Sequence, residues 1–203
     1  MKDRKRVILE AAARVIARRG VRGLRMEELA AEAHVSKALV YYHFGDRAGL
    51  LHHTLRFIGD RAQRYTRHRP PGTGEPDGSL RELERRLTQE LQETPEVREN
   101  STAWGELRAG AVFDPALREG LREASTAWLR EIAELLGRIA PTAPDTALVA
   151  AAERLTVLLE GLSTRWLTGA LPVAHARELM RVSVTAEVEG LRVARPRAVC
   201  PVG

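Results

Sequence analysis

The chain has 203 residues and a mass of 22.5 kDa, with 44% hydrophobic and 29% charged residues, enough apolar material for a real core in one medium domain or two smaller ones. No stretch approaches the roughly 20 apolar residues of a membrane span, and the single cysteine, Cys200, rules out an internal disulfide framework and a cysteine-ligated zinc site. The net charge of +5 divides into +9 over residues 1–69 and −4 over the remainder, so either the first third alone meets a polyanion or it carries a solvated basic face.

The opening MKDRKR runs straight into a patterned segment without the apolar centre of a signal peptide, which argues against export and for a cytoplasmic location. Ile8, Ala11, Ala12, Val15 and Ile16 recur at helical spacing. They predict a first helix that stops at Gly20, with Arg18 and Arg19 at its negative end. A short second helix is expected over residues 26–33, with Leu29 and Ala30 inward, and a third from the N-cap Ser36 to about His43. Asp46 can cap a fourth, which places Leu50, Leu51, Leu55, Ile58, Ala62 and Tyr65 on one side.

Residues 69–78 are the densest Pro/Gly segment, and a loop is expected there, where the charge changes sign. Ser79 and Glu82 have capping-box spacing ahead of Leu80, Leu83, Leu87 and Leu91. Thr94-Pro95 and Asp114-Pro115 each open another helix, since proline at the first helical position gives up no hydrogen bond. Residues 141–145 break the chain again.

Leu148, Ala152, Leu155, Leu159, Leu162 and Trp166 then form a heptad-like seam. The following helix carries apolar residues on more than one face, among them Leu179, Met180, Val182, Val184, Val188 and Leu191. That surface needs covering on two sides. Either both helices fill the core of one chain, or the pair also meets its copy across a two-fold axis, with Leu148, Ala152, Leu155, Leu159, Leu162, Met180, Val184, Val188 and Leu191 as the dimerisation residues. Residues 195–203 read as a frayed tail, and no segment alternates with the period of a strand.

The second and third helices, joined through His34-Val35, have the length of a helix-turn-helix. Packing Leu29, Ala30 and Ala33 against Val35 and Val40 leaves Lys37, Ala38, Leu39, Tyr41 and Tyr42 on the outer side of the third helix. There the tyrosine hydroxyls can reach phosphates or base edges, and Ala38 and Leu39 can touch thymine methyls. The alternative is that both tyrosines are core residues of a small three-helix bundle.

The runs ILEAAARVIARRG and MEELAAEAHVSKALVYYHFGDRAGLL resemble the DNA-binding region of TetR-family transcriptional regulators. Trp104 in its A-W-x-x-L stretch and LLEGLSTRWLTGALP are similar, more loosely, to the choline-responsive BetI branch. The resemblance implies an all-α protein of about nine helices. Its parts would be a helix-turn-helix DNA-binding domain (1–46), a connecting helix (47–69), a larger helical ligand-binding and dimerisation domain (70–194) and the tail.

It also implies roles. Lys37, Ala38, Leu39 and Tyr41 would face bases; Tyr42, His43 and Arg47 would hold phosphates; Arg25 and Ser36 would flank them at helix starts, with Arg25 offering a charge to the DNA backbone. Double-stranded, near-palindromic operator DNA, a homodimer and a small-molecule effector are the implied partners, with repression the family's commoner mode. Trp104, Leu107, Phe113, Trp128 and Trp166 are candidate effector walls or plain core.

The sequence departs from the family pattern at three places. His34 stands for the turn glycine, and histidine tolerates a left-handed backbone. Arg25 stands for a Ser/Thr cap, and Gly49 for a capping glutamate, which is expected to loosen the fourth helix. His52 and His53 lack neighbouring ligands and read as ordinary helix residues, so neither metal nor cofactor is expected. No nucleophile elbow, phosphate loop or HExxH motif occurs, and no enzyme is expected. The rival reading is a helical adaptor whose basic first part sits on an anionic membrane or an acidic protein.

Overall fold

Alanine-rich α1 (Arg4–Arg19) begins at Asp3, whose carboxylate accepts from the Lys5 N–H, and ends at Gly20, which adopts φ +72°. Its residues 11–13 are all alanine and fully buried beside Ile8, Val15 and Ile16, so neighbouring helices approach its axis closely. In this computed structural model residues 3–67 and 76–193 are described, and among them the chain forms nine helices and no strand. The others are α2 (Met26–Glu32), α3 (Lys37–Phe44), α4 (Arg47–Arg67), α5 (Pro76–Thr88), α6 (Pro95–Ala111), α7 (Pro115–Ile139), α8 (Asp145–Leu167) and α9 (Val173–Val193). No described helix is long and apolar enough to cross a membrane.

The local signals are met at most ends. Ser36 accepts from the Leu39 N–H, Thr94 from Val97 and Asp114 from Ala116. The capping box expected at Ser79 and Glu82 does not form. Helix α5 starts three residues earlier at Pro76, so Ser79 lies inside it, and Glu82 pairs with Arg85 instead at 2.8 Å. The expected loop is therefore shorter at its C-terminal end. Most of it, like the expected tail, lies outside the described residues.

Packing divides the chain into two units, and the division differs from the boundaries drawn on the sequence. The first takes Met1–Arg67 together with Gln92–Ser125, so α6 and the start of α7 join α1 to α4. Its core holds Ile8, Ile16, Leu29, Leu50, Leu51, Leu55, Ile58 and Leu107, each at most 1% exposed, and every such burial contributes about 1.5–3 kcal/mol. Asn100 of α6 donates to the Ile58 carbonyl and to the Tyr65 hydroxyl, while Arg61 of α4 reaches the Glu99 carboxylate and the Glu96 carbonyl, both at 2.8 Å.

The second unit takes His68–Leu91 and Thr126–Gly203. Here α9 packs against both α5 and α8, and Arg154 clasps Glu187 through two bonds of 2.6 Å. The residues expected to meet a second copy are instead the core of this unit. Ala152, Leu155, Leu159, Leu162, Met180, Val184, Val188 and Leu191 are all buried within the chain, and Leu148 is half-buried beside Gly137. A heptad seam says which residues share a stripe, not what covers it, and α5, α8 and α9 cover this one themselves. The apolar surplus of α8 and α9 that remains exposed is Val149, Val157, Leu179, Val182 and Val193.

At Gly49 the start of α4 passes close to the end of α3. A Cβ there would lie 2.2 Å from the Phe44 carbonyl oxygen, and the Gly49 N–H is already held by Asp46 at 2.7 Å, so the close approach requires glycine. Gly49→Ala is expected to cost about 1–3 kcal/mol in urea denaturation, and Ile16→Ala about 2–5 kcal/mol through the cavity it opens.

Candidate nucleic-acid interface

The α2–α3 turn decides which side of α3 faces out. His34 takes φ +53°, the one described non-glycine residue with positive φ, in the place where a glycine is usual. The turn is closed by Val35 N–H on Ala30 O at 2.9 Å and His34 N–H on Ala31 O at 3.1 Å. Arg25 precedes α2 in extended conformation and its side chain makes no cap hydrogen bond. With this turn set, Val40 and Phe44 point inward and are buried.

Their opposite face is exposed. Tyr42 is 83% and Tyr41 40% accessible, and Ser36, Lys37 and Ala38 are exposed with them. The three-helix-bundle alternative, with both tyrosines in the core, is thereby excluded for this unit. Leu39 and His43 are half-buried at the edges of the face, the His43 ring lying between those of Tyr42 and Phe44.

Electrostatics tie this face to its support. Lys37 is paired with Glu27 of α2 and lies 5.9 Å from the centre of the Tyr41 ring. The Lys37 contact holds the Glu27 carboxyl below the usual range, and the same bond raises the Lys37 ammonium. Glu32 takes both Arg18 at 2.6 Å and Arg14 at 2.8 Å, and Glu28 takes Arg19 at 2.8 Å, which fastens α2 to α1. Hydrogen bonds from Arg18 and then Arg14 bring the Glu32 carboxyl down from its ordinary 4.5 to about 2. Arg47, expected at a phosphate, is half-buried and donates to the Val21 carbonyl at 2.5 Å.

His52 and His53 lie within α4. His53 packs its ring on Phe44, and burial, followed by the charge of Lys5, pushes it below its ordinary value. Among the described residues no three His, Cys, Asp or Glu side chains gather as a metal site would need.

The five candidate effector residues fall in both units. Trp104 and Leu107 pack in the first, Leu107 as fully buried core, and Phe113 is exposed on its surface under the Arg22 guanidinium. Trp166 is buried in the second unit and Trp128 half-buried there. A separate groove of about 520 Å³ in the second unit is lined by Leu129, Ala133, Gly137, Leu148 and Val149, with Arg130, Glu134 and Asp145, and includes none of the five. Sequence reading also missed Glu27, Asn100 and Glu106, because no local pattern marks a carboxylate or amide whose partner lies on another helix.

The comparisons agree with this geometry. Residues 8–54 match the model of the bacterial regulatory proteins of the TetR family, and residues 80–189 match that of the BetI-type transcriptional repressor C-terminal region. A Rhodococcus sp. crystal structure given as a TetR-family transcriptional regulator is 39% identical, covers 93% of this chain and 100% of its own, and superposes with a TM-score of 0.81. The HTH-type transcriptional regulator BetI of Burkholderia cenocepacia is 29% identical over 83% of this chain and 82% of its own. A Saccharomonospora viridis regulator solved in complex with choline is 24% identical over 89% of this chain and 95% of its own, with a TM-score of 0.71, and shares the fold.

The all-α fold, with α2 and α3 forming a helix-turn-helix, is that of a transcription regulator. The chain belongs to the TetR family, with a C-terminal region of BetI type.

Because the Glu32 value is depressed in the folded protein, its stabilisation is whole above about pH 4.5 and is lost as the pH falls toward about 2. Acid titration followed by amide exchange in α1 and α2 should show this loss, and Glu32→Gln should remove that part of the pH dependence.

Proposed function

We propose that the protein is a cytoplasmic, ligand-responsive repressor that binds a near-palindromic operator as a homodimer and is released by a small-molecule effector. The observation that carries the reading is the display of Lys37, Ala38, Tyr41 and Tyr42 on one exposed face of α3. A face with two accessible tyrosines beside a lysine suits a major groove, where hydroxyls and the ammonium meet phosphates and base edges. The free protein holds Lys37 on Glu27, so the DNA acceptor must displace that carboxylate.

The homodimer is supported by the apolar residues that α8 and α9 leave uncovered, Val157 at 68%, Val182 at 58% and Leu179 at 37% accessible. Residues 179, 182 and 186 repeat at helical spacing along one face of α9, with Ala186 small and exposed. This face replaces the buried seam as the proposed dimer surface. Val182→Glu is expected to convert the dimer to monomer in analytical ultracentrifugation with helicity retained; a dimer unchanged by that substitution places the contact elsewhere.

For the effector, Trp104 and Asn100 stand one turn apart on α6, with Asn100 2% exposed and touching the Tyr65 hydroxyl. This pairing of an aromatic wall with buried polar groups supports a small cationic or amphipathic ligand. Choline, bound by the Saccharomonospora viridis protein, is the first compound to test by tryptophan fluorescence.

Binding to duplex DNA should weaken steeply with salt, by a log–log slope of about 0.9 per neutralised phosphate. Lys37→Ala and Tyr42→Ala are each expected to reduce affinity at least tenfold without lowering the melting temperature, while Glu27→Gln, which frees Lys37, should raise affinity severalfold. Mobility-shift titrations measure all three. Unchanged binding by Lys37→Ala and Tyr42→Ala sinks the assignment of this face.

A further inference from the structure

Residues 106, 110 and 113 follow each other at intervals of four and three, from α6 into the turn after it, so they share one side. That side meets three successive residues of the α1–α2 connection. At Gly20, whose φ of +72° favours glycine, a Cβ would come within 2.6 Å of the Glu106 carboxylate and displace it. The Val21 N–H donates to Glu106 Oε2 at 3.2 Å, and Val21 Cγ1 lies 3.7 Å from where a Cβ of Gly110 would stand. The Arg22 guanidinium lies 4.9 Å from the centre of the Phe113 ring.

From the other side, Arg47 Nη2 donates to the Val21 carbonyl at 2.5 Å, and the Leu24 N–H donates to the same oxygen at 3.2 Å. Val21 is 6% exposed, so both of its backbone polar groups need protein partners. Both are supplied by charged side chains of opposite sign, which make stronger bonds than neutral ones. The arginine sits at the first position of α4, three residues after the end of α3. Its reach to Val21 therefore fixes the chain entering α2 against the chain leaving α3, at both ends of the helix-turn-helix.

We propose that Arg47 and Glu106 are positioning residues for DNA recognition, which set the presentation of α2 and α3 by gripping Val21, and that Arg47 does this in place of holding a phosphate. The inference rests on the DNA-binding reading above and assigns to it two side chains outside the recognition face.

The test is a salt series with one duplex, selected from a random-sequence pool by the unaltered protein, together with hydrogen exchange at the Val21 amide. Arg47→Gln and Glu106→Gln should each weaken binding about tenfold. Both should keep the salt slope of the unaltered protein, and the double variant should lose less than the product of the two because both grip one residue. Glu106→Gln should also speed exchange at Val21. Arg47→Lys, which keeps the charge with a shorter donor, guards against a folding defect and should fall between Arg47→Gln and the unaltered protein.

A slope reduced by about 0.9 in Arg47→Gln makes that residue a phosphate contact and overturns the proposal. Full affinity in Glu106→Gln, while Lys37→Ala binds poorly, removes the positioning role but leaves the DNA reading standing. If the unaltered protein retains no duplex from the pool, the DNA reading falls and the positioning role goes with it.

Discussion

The outward presentation of α3 depends first on one backbone constraint, the left-handed conformation of His34. Residues other than glycine adopt it rarely, and here the cost is offset by two backbone hydrogen bonds that close the turn and by Val35, Val40 and Phe44 entering the core. Once Val40 and Phe44 are committed inward, the 100° step between helical residues sends positions 38 and 42 to the opposite side and 41 to its flank, while Lys37 is exposed at the first position of the helix. The recognition face is thus a consequence of where two apolar side chains go, and the polar residues on it contribute little to holding it there.

The charge of the first third has more structure than its sum. Three carboxylates of α2 each take a cation: Glu27 takes Lys37, Glu28 takes Arg19, and Glu32 takes Arg14 and Arg18. These pairs are largely exposed, so their worth for stability is modest. Their effect is one of geometry, since they keep α2 against α1 and hold Lys37 of α3 on Glu27. Arg47 is drawn inward in the same way, to a backbone carbonyl.

The second unit shows the opposite relation between pattern and use. Its heptad-like seam is real, and the chain consumes it internally, with Leu155, Leu159 and Leu162 of α8 and Met180, Val184 and Val188 of α9 all buried. What stays exposed on α8 and α9 is the less regular surplus at Val149, Val157, Leu179, Val182 and Val193.

The sequence by itself determined the helices, most of their caps and the helix-turn-helix, because each of these rests on contacts within a few residues: Ser36 on Leu39, Thr94 on Val97, Gly20 after Arg19. It left open whether Tyr41 and Tyr42 face out, and it put Leu39 outside where the fold half-buries it. It was silent or misleading wherever the deciding contact spans the chain. That α6 joins the first four helices, that Arg47 and Glu106 meet at Val21, that Gly49 is forced by the Phe44 carbonyl, and that the α8–α9 seam closes on itself were decided by packing alone. Periodicity records how apolar or charged a face is; only the folded chain assigns that face a neighbour.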